Sequence, residues 1–183
     1  MNVITNPIAL KALSDALQAA RHGPKSRNQT DSRTADKFVI RGFVELFDEL
    51  AGIGAYEGRS QNAEAVSAFL DALSGHKRSR TMLKVLKMHL GIEFANRVLA
   101  EVPDFDLKAC KQQRKFVVRF PEQVRAKIRA GVDEAIESKI DGGPTTMNQW
   151  ALDALVAWIK FQRQHYALLS ACIAMDQSLL EAK

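Results

Sequence analysis

A chain of 183 residues, 46% of them hydrophobic, is long enough to bury a core and allows one domain or two small ones. Lys and Arg number 26 against 21 Asp and Glu, a formal charge of +5 that suits a polyanionic partner without requiring one. No stretch approaches the roughly 18 apolar residues of a membrane span, and neither Cys110 nor Cys172 sits in a Cys-x-x-Cys or Cys/His cluster, which argues against membrane, zinc and disulfide classes.

The N-terminus, Met1 to Pro7, has no charged region followed by an apolar run, so a reduced, cytoplasmic chain is expected. From Ile8 to Arg21, Leu10, Leu13, Leu17 and Ala20 recur at spacings of three and four and predict a short amphipathic helix. His22 to Arg33 is polar, contains Gly23-Pro24 and offers nothing to bury; it reads as a flexible arm able to touch a polyanion's backbone. Lys37-Phe38-Val39-Ile40-Arg41 is short, β-branched and alternating, and predicts a strand. Phe43, Leu46, Phe47 and Leu50 then share one helical face, with Gly52, Gly54 and Gly58 expected to stop that helix. A further helix carrying Val66, Phe69, Leu70 and Leu73 is expected from about Ser60.

Lys77 to Lys87 holds five basic residues and no acidic one, and its apolar spacing continues through Leu90, Phe94 and Val98, predicting one basic amphipathic helix. Pro103 and the irregular Asp104 to Leu107 mark a boundary. A second strand is predicted over Lys115-Phe116-Val117-Val118-Arg119-Phe120, followed by Pro121 at the first turn of a helix. In that helix Val124, Ile128, Val132, Ile136 and Ile140 fall every four residues, and Asp141 to Pro144 breaks it. Thr146-Met147-Asn148-Gln149 has the form of a capping box, opening a long final helix with Trp150, Leu155, Trp158, Ile159, Tyr166 and Leu169 on its apolar stripe.

Strand, helix, turn and helix thus occur in the same order twice. The runs beginning at Lys37 and Lys115 match residue for residue in type, 78 positions apart, which points to an internal duplication. Lys115, Val117 and Arg119 alternate away from the apolar face, as do Lys37, Val39 and Arg41. Phe116, Val118, Phe120, Trp150 and Trp158 are expected in the core or a dimer interface.

The strand Lys115 to Phe120 with Pro121, the turn Gly58-Arg59-Ser60-Gln61-Asn62 and the order of the elements resemble the ribbon-helix-helix family, the Arc, MetJ and CopG type of DNA-binding proteins. The resemblance covers about residues 36–75 and 114–160, and the tandem arrangement is similar in architecture to the TraY type. It implies a mainly α fold with short β-strands: a tandem ribbon-helix-helix unit with linker and C-terminal helices. The expected organisation is an arm over 1–35, repeats over 36–76 and 114–183, and a basic linker helix over 77–113.

By the same resemblance the base-reading residues are Lys115, Val117 and Arg119, with Lys37, Val39 and Arg41 in the first repeat. Phosphates would be anchored at the second helix of each repeat, by Arg59, Ser60 and Asn62 and by Thr145, Thr146 and Asn148. Arg41 to Ser60 covers 19 residues where Arg119 to Thr146 covers 27, so the repeats differ in length and one ribbon alone is an alternative. The implied partner is double-stranded DNA, bound by a homodimer or by an intramolecular pseudo-dimer, with no cofactor and no membrane. The implied role is a transcriptional repressor, with a plasmid relaxosome or partition accessory protein, or a helical interaction module working through the C-terminal helix, as alternatives. An enzyme is not expected: His22, His76, His89 and His165 are scattered, and no Gly-rich phosphate loop, nucleophile elbow or His-Glu-x-x-His pattern occurs.

Overall fold

The two alternating runs do become strands, and they find each other. The computed structural model describes residues 17–18, 20–21, 36–120, 122–137, 144 and 146–181. Two compact units are distinguished, Met1–Ala35 and Asp36–Lys183. In the first, Leu17, Gln18, Ala20 and Arg21 are helical; the rest of the expected N-terminal helix and the polar arm lie outside the described residues.

In the second unit the order is β1 (Asp36–Phe43), α1 (Val44–Tyr56), α2 (Gln61–Leu73), α3 (Lys77–Leu90), α4 (Ile92–Ala100), a short 3-10 turn (Leu107–Ala109), β2 (Gln113–Phe120), α5 (Glu122–Glu137) and α6 (Met147–Glu181). This unit is mainly helical with one two-stranded antiparallel sheet. The strands pair within one chain, Lys37 opposite Arg119, Val39 opposite Val117 and Arg41 opposite Lys115.

Alternation along each strand divides the sheet into two faces. Ile40, Val118 and Phe120 are buried, and Phe38 and Phe116 pack partly buried beside them. They lie on Leu46, Phe47 and Leu50 of α1, Phe69 of α2, Ile128 and Val132 of α5, and Leu155, Trp158 and Ile159 of α6, all in one core. Phe47 stacks tilted on Phe116 at 5.2 Å, and Phe69 lies 5.8 Å from Phe120 and 5.5 Å from Trp150. Gly42 is required here: a Cβ would stand 2.8 Å from the Phe47 ring and 2.9 Å from Leu152, both buried.

Three expectations need correction. Helix α1 is not stopped by Gly52 or Gly54 but runs through both to Tyr56, the chain turning at Gly58 with φ +66°. Gly54 serves the next turn instead, since a Cβ there would lie 2.9 Å from the Arg59 carbonyl, whose own N–H donates to Gly54 O at 2.7 Å. The basic stretch is two helices, because Gly91 takes φ +82°, a left-handed conformation that an L side chain rarely adopts. The capping box is half formed: Thr146 Oγ1 accepts from the Gln149 N–H at 3.1 Å, but the Gln149 side chain donates forward to Asp153 at 2.8 Å.

Helices α3 and α4 do not merely link strands. They fold onto the second half of α6, where Leu90, Ala95, Leu168 and Cys172 form a separate small cluster. The entry into α3 is held by Asp71, whose carboxylate accepts from Ser79 Oγ at 2.8 Å and the Ser79 N–H at 3.3 Å and meets His76 Nδ1 at 3.0 Å. That clasp holds His76 at φ 58°, left-handed for a non-glycine residue.

Glu64, fully buried, joins α2 to α6. Its Oε1 accepts from Trp158 Nε1 at 2.7 Å and Gln162 Nε2 at 3.0 Å, and from Arg59 at 3.3 Å. Arg59 Nε stands 3.0 Å from Oε2, close enough for an ion pair but not aligned as a hydrogen bond. A buried carboxylate is tolerated when donors replace its water, so each donor matters.

Two substitutions test this packing by urea unfolding. Trp158→Phe removes a donor to a buried charge and also shrinks a buried ring, and is expected to cost at least about 1.5–3 kcal/mol. Gly42→Ala is expected to cost about 1–3 kcal/mol through overpacking against Phe47 and Leu152; an unchanged midpoint in either variant contradicts the corresponding contact.

Candidate nucleic-acid interface

The second face of the ribbon is open. Lys37, Val39, Arg41, Lys115, Val117 and Arg119 are all exposed, Val39 and Val117 by 46% and 44%. These are the six residues expected to point away from the core, and the antiparallel register brings them onto one surface. The sequence Lys-Val-Arg runs along β1 and again, in the opposite direction, along β2, so the pattern mirrors about the Val39–Val117 pair. Among the described residues none of the four cations forms an ion pair with an acid.

Both outer edges of the ribbon are closed by asparagine. Asn62 Oδ1 accepts from the Arg119 N–H at 2.8 Å while its Nδ2 donates to Arg119 O at 3.0 Å. Asn148 does the same for Arg41, accepting from its N–H at 2.8 Å and donating to its carbonyl at 3.0 Å. Each amide thus takes the place of a third strand for one residue.

This arrangement also settles the ladder. Because the N–H and carbonyl of Arg41 and Arg119 turn outward to the amides, the outward-facing pairs are the non-hydrogen-bonded ones. In such pairs the opposed Cα atoms stand about 4.5 Å apart and the side chains crowd together. Four cationic groups are therefore held over a surface that extends roughly 13 Å along the strands.

Asn62 and Asn148 each lie in the first turn of a helix, α2 and α6, behind the caps Ser60 and Thr146. Ser60 Oγ accepts from the Ala63 N–H at 3.2 Å. The two amides consequently dock two helix N-termini, one at each outer edge of the ribbon. Free N–H groups and the positive end of the helix dipole at these places favour anions.

The structure thus places the residues expected to hold phosphates next to the ribbon, but gives some of them other work. The Asn62 and Asn148 side chains are occupied by strand backbone. Arg59 is drawn to Glu64 at 3.0 Å and Glu57 at 3.5 Å, so its guanidinium is not free. Thr145 lies outside the described residues. At one end of the ribbon Arg41, Phe43, Gln113, Arg114 and Lys115 line a cleft of about 470 Å³, with Arg114 paired to Asp48 at 3.3 Å. Below it, Glu45 accepts from the Lys111 N–H at 3.0 Å, which holds its carboxyl below the usual range.

Sequence reasoning missed the bridging role of the asparagines and the whole Glu64 network. The signal for the second was present: a lone carboxylate inside the apolar run Ala63, Ala65, Val66, Ala68 and Phe69, with a cation five residues before it. No potential metal site of three or more His, Cys, Asp or Glu occurs among the described residues, and no helix there is long and apolar enough to cross a membrane. No family model, no curated protein and no solved structure matches the chain.

Asn62→Ala and Asn148→Ala are each expected to lower stability by about 1 kcal/mol, the usual net worth of such bonds at a partly exposed edge. Hydrogen exchange should report the same change locally, as faster exchange of the Arg119 and Arg41 amides respectively. Unaltered exchange at both would mean the amides do not hold the ribbon.

Proposed function

We propose that this chain is a sequence-specific DNA-binding protein that inserts the two-stranded ribbon into the major groove. In this reading it is a ribbon-helix-helix unit whose two strand-helix-helix halves, β1-α1-α2 and β2-α5-α6, lie in one polypeptide and form an intramolecular pseudo-dimer. The observation that carries the reading is the outward Lys-Val-Arg pattern on both strands, unpaired with acids among the described residues and flanked by two helix N-termini.

The dimensions and chemistry fit. Two strands about 4.8 Å apart enter a groove about 12 Å wide, where no single exposed helix is needed. Arg41 and Arg119 supply planar forks suited to guanine O6 and N7, Lys37 and Lys115 supply additional donors, and Val39 and Val117 supply methyl groups for thymine. The helix N-termini behind Ser60 and Thr146 receive backbone phosphates through their N–H groups and fix the register of the ribbon in the groove. A repressor that occupies its operator in the cytoplasm is the role that follows, with one chain sufficient for one site.

A competition experiment tests this directly: binding to sites selected from random duplexes is measured against bulk DNA over a range of salt. The intact chain should prefer a defined site and weaken steeply with salt. Arg41→Ala and Arg119→Ala should each lose about 1–3 kcal/mol of discrimination, at positions related by the symmetry of the site. Native mass measurement should find one chain per site; retention of full site preference by the double arginine variant would end the proposal.

A further inference from the structure

Away from the ribbon, helices α3 and α6 run side by side and leave a groove. Arg78 and His165 line one end of it, and eleven residues further along each helix His89 Nε2 meets Asp176 at 3.3 Å. Equal steps along both helices make them parallel over three turns, roughly 16 Å. The first part is a cavity of about 590 Å³ lined by Lys77, Arg78, Thr81, Met82, Val85 and Leu86 with His165. No acidic residue lines it.

The groove is apolar to a degree unusual for an exposed surface. Val85 in the cavity lining is 59% exposed. Farther along α6, Leu169 and Ile173 fall four and eight residues after His165, on its side of the helix by helical spacing, and are 37% and 50% exposed. At the entrance, among the described residues, Lys77 and Arg78 have no acidic partner. Arg80 and Lys84 on the same helix have none there either, and the acid that meets α3 in the groove, Asp176, lies at its far end beside His89, so the N-terminal half of α3 presents a cationic field. At the wall of the cavity His165 Nδ1 is buried without a hydrogen-bond partner, and burial pushes that imidazole's pKa down.

We propose that the α3–α6 groove docks an acidic amphipathic helix of another protein, its apolar side chains seated over Met82, Val85 and Leu169 and its carboxylates toward Lys77 and Arg78. Shape, charge and length together select this occupant. A parallel, three-turn groove with a terminal cavity suits a helix whose anchors recur at i, i+3 or i+4 and i+7. A second copy of this chain laid face to face would bring two sets of α3 cations together. Duplex DNA would meet the cations but leave Val85, Leu169 and Ile173 against phosphate and water.

The test is a selection of helical peptides from a random library against the full-length chain, followed by affinity measurement. Selected peptides should combine apolar residues at the i, i+3 or i+4, i+7 spacing with Asp or Glu on the flanks. Arg78→Glu and Val85→Asp alter exposed positions on α3, and each should weaken binding about tenfold, the effect of one lost anchor. Circular dichroism of both variants should be that of the parent. Selected peptides without acidic residues, or affinity unchanged in both variants, overturn the proposal. It is overturned equally by peptide displacement with duplex DNA, or by self-association in sedimentation that Val85→Asp abolishes.

Discussion

The pairing of β1 with β2 carries the rest of the molecule. About 70 residues separate the strands, and closing a loop of that length costs roughly 4 kcal/mol in chain entropy before any bond forms. A two-stranded ribbon does not offset this alone, because isolated hairpin-like pairs are marginal in water. What holds it is the inward face, where Ile40, Val118 and Phe120 are buried against helices from both halves of the chain, each worth roughly 1.5–3 kcal/mol. The outward Lys-Val-Arg surface is a consequence: with period-two alternation, burying one set of residues displays the other.

The same constraint explains what could be read from the residues and what could not. Lys37 to Arg41 and Lys115 to Arg119 declared themselves because alternation is a local property and the outward residues follow from it. Thr146 likewise announced the start of α6 through its hydroxyl. Partner choice is not local. Whether β1 would meet β2 or its own copy in another chain depended on distances that no window of sequence contains. The role of Gly54 was hidden for the same reason: it is set by the approach of the Arg59 carbonyl, and a glycine in a helical pattern otherwise reads as a stop.

Asn62 and Asn148 show a subtler limit. Their position in the first helical turn, near a presumed phosphate, made a polar role evident, and the structure places both beside the ribbon. Yet a primary amide has one donor face and one acceptor face, which matches a peptide unit at a sheet edge better than it matches an anion. Glu64 is a parallel case. Its charge would ordinarily place it at the surface, and it is buried because Arg59, five residues before it, is joined there by Trp158 and Gln162 from a helix almost a hundred residues away in sequence.

The two ends of the molecule are joined by one element. Helix α6 begins at the ribbon, where Asn148 grips Arg41, passes through the core at Leu155 and Ile159, and ends beside α3 and α4 at Cys172 and Asp176. Its 35 residues contain neither glycine nor proline, the usual causes of a kink, so it spans about 52 Å as a continuous rod. Helix α2, which grips the other edge of the ribbon through Asn62, has 13 residues and ends at Leu73, before the exposed Ser74 and Gly75. The outward face of the ribbon is therefore symmetric in residue type while the body behind it is not. Only the β2 half extends to the groove, so a partner seated there would approach the ribbon from one side. If the ribbon binds DNA as proposed, that DNA would acquire a direction that the Lys-Val-Arg pattern alone does not give it.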